Sequence, residues 1–178
     1  MLLQPNDHWC WFIGEDRHLM LDLGEDILFA TPYPQKKLIC ADQLRQNFSV
    51  EDTGLYYTFL DKLSCVATES RRIQAALNAV AVARFYKPLM PQSWFFEPQA
   101  DYHRPQLGEL IGLDCGERQL TMMVVETSPS ASLCISLSAD VVLNGAKKLP
   151  VFGAIKVMND RLFSLETNEG IQDIRRVG

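Results

Sequence analysis

Histidine is scarce in this chain, with only three in 178 residues, and the motifs that histidine usually serves are missing with it. There is no H-E-x-x-H zinc helix, no glycine-rich phosphate loop, no nucleophile elbow and no dinucleotide-binding glycine run. The expectation is therefore a protein with no catalytic residue, no cofactor and no metal. Cysteine is present but unpatterned. Cys10, Cys40, Cys65, Cys115 and Cys134 are odd in number, widely spaced and never form C-x-x-C, so they read as free thiols in a reducing cytosol. Long apolar runs are also lacking. The best candidate, residues 75–83, is alanine-rich and bracketed by Arg71, Arg72 and Arg84, far short of the roughly 20 residues a span requires. No basic segment followed by an apolar one opens the chain, which excludes a signal peptide and implies a cytoplasmic protein with no membrane insertion. Finally, no basic excess exists. A net charge of −5 argues against a general nucleic-acid binder while leaving room for a local basic patch.

What is present is enough apolar material for a core: 47% hydrophobic against 22% charged residues, which rules out extensive disorder. Residues 8–13 and 18–23 read as two strands joined by the polar turn Gly14-Glu15-Asp16-Arg17, with Trp9, Trp11 and Ile13 on one face. A third strand is expected at 26–30, interrupted by Thr31-Pro32-Tyr33-Pro34, because proline cannot donate to a ladder. Ser49 followed by Asp52 resembles a capping box opening a helix at 50–63, with Tyr56, Phe59, Leu60 and Leu63 on its buried face. Thr68-Glu69 starts a second helix. Its lack of bulky polar residues points to a central position, and Pro88 stops it near Lys87.

Residues 88–106 carry Pro88, Pro91, Pro98 and Pro105 without periodicity and read as an ordered connector. Beyond it, short apolar segments at 107–113, 119–127, 132–137 and 141–143 alternate with turn signals, of which Asn144-Gly145 is the strongest. Such spacing suggests a small barrel. Residues 154–162 fit either a helix or a strand. The fold class expected is α+β: an N-terminal antiparallel sheet with two helices, followed by a small C-terminal β-barrel. The domains expected are 1–95, 96–167 and a flexible tail at 168–178.

Few residues suggest chemistry. His8 and His18 flank the first turn with Asp7 and Asp16 near them, a metal or acid–base pair on paper, but two exposed polar residues at strand ends account for them. Cys115 sits at a turn with no base recruited to it. Trp9, Trp11 and Trp94 could stack on a ligand, although core packing is the ordinary role. Lys36-Lys37 and Arg71-Arg72 read as solvated faces. Arg84 and Lys87 differ, standing at a helix end beside prolines and aromatics, where cations also complement the helix dipole.

Several stretches together resemble the ZapC family of gamma-proteobacterial cell-division proteins, which associate with FtsZ. They are Trp9-x-Trp11, Met20-Leu21-Asp22-Leu23 with Leu28-Phe29, Leu55-Tyr56, Leu77-Asn78-Ala79, Lys87-Pro88-x-Met90-Pro91-x-Ser93-Trp94, Val124-Val125-Glu126, Leu133-Cys134, and the run from Ala154 through Leu162. They keep their order from about residue 4 to 162. The connector departs from the family at Gln92, where a second lysine can stand, and at Glu97; the tail after Glu166 shows no match.

The resemblance implies a cytoplasmic adaptor at the mid-cell division site, and a monomer is expected rather than a stable oligomer. It would bind FtsZ directly, bundle its protofilaments, stabilise the Z-ring and lower GTP turnover on FtsZ without being an enzyme. The partner surface expected is Leu21, Arg84, Lys87, Pro88, Met90 and Trp94, since a cation beside an apolar groove suits an acidic partner. A nucleic-acid-binding barrel is the alternative. Eight Lys/Arg against ten Asp/Glu after Ala100 disfavour it. A third reading, an enzyme with a cleft joining His103 and Cys115, has only those two residues in its support.

Overall fold

The computed structural model describes residues 3–65, 68–101, 104–143, 145 and 147–165. The expected tail at 168–178, and His103 with the cleft it was to form, lie outside the described residues. The chain opens with an antiparallel meander, β1 (Cys10–Ile13), β2 (His18–Asp22) and β3 (Leu28–Pro34), to which β4 (Arg45–Asn47) adds on the far side of β1, giving the order β3-β2-β1-β4. Trp11 stands opposite Leu21, and alternation sends Trp9, Trp11, Leu19 and Leu21 into the core. β3 does not stop at Pro32. It runs through both prolines, because β3 is an edge strand whose outer groups need no ladder partner. The short polar strand β4, Arg-Gln-Asn, carries no apolar alternation and was not foreseen.

α1 (Val50–Lys62) begins with the expected capping box: the Asp52 backbone N–H donates to Ser49 Oγ (3.0 Å) and the Ser49 N–H to Asp52 Oδ2 (2.9 Å). α2 (Glu69–Phe85) is capped by Thr68 and ends before Pro88. Its alanines are explained by its place. Ala75, Ala76, Ala79, Val80, Ala81 and Val82 are all buried, with α1 against one side and the second sheet against another. Slim side chains let both layers approach the helix.

The second half is β throughout its described residues, apart from single 3-10 turns. β5 (Leu110–Asp114), β6 (Gln119–Thr127), β7 (Ala131–Ser136), β10 (Ala154–Met158) and β11 (Phe163–Ser164) form one antiparallel sheet in the order β10-β7-β6-β5-β11. The ambiguous segment at 154–162 is thus a strand and one 3-10 turn. β8 (Val141–Leu143) and β9 (Lys147–Leu149) make the hairpin that Asn144-Gly145 signalled. The fold class is α+β as expected, but the five-stranded ladder stays open rather than closing into a barrel, with β8–β9 packed over one face. Gly112 leaves the space that the Phe163 ring fills.

Both faces of this sheet are buried. Met123, Val125, Leu133 and Ile135 join the core of the first half, whereas Met122, Val124, Cys134, Ile155 and Val157 form a second core with the β8–β9 hairpin and Phe96. That is why β6 carries a continuous apolar run from Met122 to Val125 instead of an alternating one. The connector is strapped to the β10 edge: the Gln92 N–H donates to Lys156 O (2.8 Å) and the Met158 N–H to Ser93 Oγ (2.9 Å).

Candidate functional site

A concentration of lysines lies in a groove built by both halves. Where α2 ends, the chain turns extended and pairs with the segment after β3. The Lys87 N–H donates to Lys37 O and Lys87 Nζ to Lys36 O, each at 2.9 Å. This pairing sets Lys36, Lys37 and Lys87 along one wall. The opposite wall is β9, with Lys147 and Lys148, followed by the tight turn Pro150–Gly153. Tyr33, Tyr86, Leu89 and Leu149 supply an apolar floor, and the space enclosed is about 440 Å³.

Five lysines line this groove, and no carboxylate does. Among the described residues none of the five makes an ion pair. Lys147 is half-buried, its ammonium donating to Gln92 Oε1 and lying 5.8 Å from the Phe95 ring centroid. Burial first, and then the charge of Lys37, hold the Lys147 ammonium below the ordinary lysine range. A protein of net charge −5 thus keeps a locally positive concavity.

The residues expected at a partner surface divide. Lys87, Pro88 and Met90 line the groove, Met90 being 82% exposed, while Trp94, 65% exposed, follows on the same connector outside the groove lining. Large apolar side chains so exposed on a connector otherwise pinned to β10 are not explained by packing. Leu21 does not join them. It is 0% exposed beneath the first sheet, because its strand register with Trp11 points it inward, so it is no direct contact. Arg84 is also turned to structure: its Nε lies 2.5 Å from Oδ1 of the fully buried Asp52, tying the end of α2 to the start of α1.

The lysine doublets were the missed members. Lys36-Lys37 reads as a solvated face, and no local pattern says that Lys147-Lys148 will line the same groove. Gln92, where the family resemblance allows a lysine, is the neutral acceptor for Lys147.

Elsewhere the candidate chemistry comes apart. His8 lies beside Gly24, whereas His18 lies at the other end of the hairpin and interacts with Asp16, so the two histidines do not face each other. Cys115 Sγ donates to Arg118 O at 3.1 Å. Trp9 and Trp11 are core residues, edge-on to Tyr56 and Phe85 respectively. Among the described residues no group of three His, Cys, Asp or Glu side chains could hold a metal ion, and no helix is long and apolar enough to cross a membrane.

Comparison with known proteins accounts for the whole described chain. Residues 2–87 match the family model "Cell-division protein ZapC, N-terminal", and residues 88–168 match "Cell-division protein ZapC, C-terminal". The Cell division protein ZapC of Aeromonas hydrophila is 41% identical over 164 residues, covering 91% of this chain and 92% of its own. The protein of the same name from Photobacterium profundum is 34% identical over 180 residues, covering 99% and 100%. That of Vibrio cholerae is 34% identical over 169 residues, covering 93% and 94%. The chain belongs to the ZapC family of cell-division proteins.

Proposed function

We propose that the chain is a cytoplasmic, non-enzymatic adaptor of the division site that binds FtsZ directly, promotes bundling of FtsZ protofilaments and so stabilises the Z-ring and lowers GTP turnover on FtsZ. The observation that supports this reading most is the groove: five lysines without a carboxylate, with exposed Met90 in its lining and exposed Trp94 on the same connector. An acidic partner is drawn by the lysines at long range, which speeds encounter, and the apolar side chains slow its departure. Membership of a cell-division family supplies the setting. Bundling requires two contacts for each adaptor, from two faces of a monomer or from self-association.

The test is co-sedimentation with polymerised FtsZ at low and high salt, run beside a thermal melt. Lys87→Glu and the double reversal Lys147→Glu with Lys148→Glu should each weaken pelleting at least about tenfold with the melt unchanged, because all three lysines line one groove. Undiminished pelleting by both variants would overturn the assignment of the groove. Loss of binding only when Met90 and Trp94 are replaced by serine would move the contact to the connector.

A further inference from the structure

We propose that the lysine groove also takes a small multivalent phosphate anion, a polyphosphate group either free or carried on a nucleoside, and that this anion competes with the protein partner for the same ammonium groups. The competition clause rests on the partner reading above; the anion site does not.

The argument starts from charge. Lysine ammonium groups are strongly hydrated point charges suited to phosphate oxygens, and three or more converging on one concavity favour a ligand carrying several negative charges. Here five converge, from the turn after β3, the end of α2 and β9. The protein neutralises none of them with its own carboxylates among the described residues. Lys36 and Lys87 also line an adjoining concavity with Asp16 and Asp42, and there Arg17 lies 3.4 Å from Asp42 while Gln35 Nε2 donates to it at 2.6 Å. Asp42 thus has Arg17 and Gln35 as its partners, and Lys37, Lys147 and Lys148 line only the groove.

Lys147 adds a second observation. Its ammonium is half-buried between Gln92 Oε1 and the Phe95 ring, close enough to Lys37 to be disfavoured by it. A bound anion would screen Lys37 from Lys147 and remove that repulsion. The size suits a small ligand: about 440 Å³ lies within the range of small-molecule sites, and the floor of Tyr33, Tyr86 and Leu89 could cover a planar or apolar body attached to the phosphates.

The experiment uses the full chain alone, with inorganic tripolyphosphate as the probe, followed by calorimetry at low salt. Saturable binding to one site is expected, weakening at least about tenfold as salt is raised to the physiological range, where charge interactions are screened beyond about 8 Å. Lys37→Gln with Lys147→Gln should weaken it at least about tenfold, while Lys62→Gln on α1 should not, and circular dichroism should show all variants folded. A nucleoside triphosphate and the matching monophosphate, without metal, form the second arm. A triphosphate much tighter than tripolyphosphate makes the ligand a nucleotide, equal affinities make it free polyphosphate, and both support the site. Absence of saturable binding at low salt, or binding indifferent to the double variant, overturns it. FtsZ pelleting by the same preparations separates the two readings: pelleting that persists when tripolyphosphate fails to bind sinks only the anion site. Tripolyphosphate binding with pelleting insensitive to Lys87→Glu sinks only the partner assignment.

Discussion

Asp52 meets three demands with one carboxylate. It closes the capping box of α1, accepts Trp11 Nε1–H at 3.1 Å and faces Arg84 at 2.5 Å, all while fully buried. Asp52→Ala strands the buried Trp11 indole N–H and leaves the partly exposed Arg84 guanidinium without its carboxylate, and urea unfolding should show a loss on the order of 2–4 kcal/mol. Arg84→Ala should cost a similar amount, so weakened partner binding by that variant would report misfolding rather than a lost contact.

Asn159 plays a comparable part in the second half. Its Oδ1 accepts Ser132 Oγ at 2.7 Å and its Nδ2 donates to Ser128 O at 2.9 Å, holding the turn between β6 and β7. Tyr56 is a residue whose behaviour can be read by titration. Burial first, and then the neighbouring Tyr57, moves its phenol up to about 12 from the usual 10.0, and its hydroxyl donates to Leu3 O at 2.7 Å. Above pH 10 the unfolded chain sheds a proton that the folded chain keeps, so stability is fully present below pH 10 and falls as pH rises from 10 towards 12. Phenolate absorbance should show a tyrosine that titrates only near pH 12 and disappears in Tyr56→Phe.

At the scale of elements, α2 shows how little space separates the layers. Ala79 is completely buried in the core that the two sheets share. Ala79→Leu should destabilise by about 1–3 kcal/mol through overpacking, whereas a leucine at the exposed Ser70 should be nearly neutral. Chemical denaturation of the two variants makes the comparison. The helix limits, the capping box and the Asn-Gly hairpin follow from local chemistry and were readable as such. β3 running through Pro32 and Pro34 was not, because proline excludes a central strand but not an edge, and edge position is a property of the sheet.

For the whole molecule, the two halves are joined by more than the connector. Tyr33 on β3 donates its hydroxyl to Phe152 O at 2.6 Å, and the Arg71 guanidinium lies 4.9 Å from the centre of the Phe152 ring. Phe152 accepts this position with a φ of 64°, a strained conformation for a bulky residue that the surrounding contacts must hold. Together with the core shared across α2, these links make one cooperative unit the expected behaviour. Scanning calorimetry of residues 1–165 should give a single transition, and Tyr33→Phe should lower its midpoint by the few degrees that about 1 kcal/mol represents. Two separated transitions would show that the halves unfold independently.

Local sequence was sufficient for the helices, most strands and the lack of a catalytic motif, because capping, periodicity and turn chemistry act within a few residues of one another. It also placed Lys87, Pro88, Met90 and Trp94 outside the core, since a helix end followed by prolines leaves such residues exposed. Three things required the tertiary structure. Leu21 and Arg84 are interior in role because strand register and the buried Asp52 claim them, and register is set by pairing with residues far along the chain. The sheet remained open because closure depends on how strands tilt together rather than on their spacing. The groove exists only because packing on α2 brings Lys36-Lys37 opposite Lys147-Lys148, residues more than a hundred positions apart, and charge at that separation in sequence leaves no local trace.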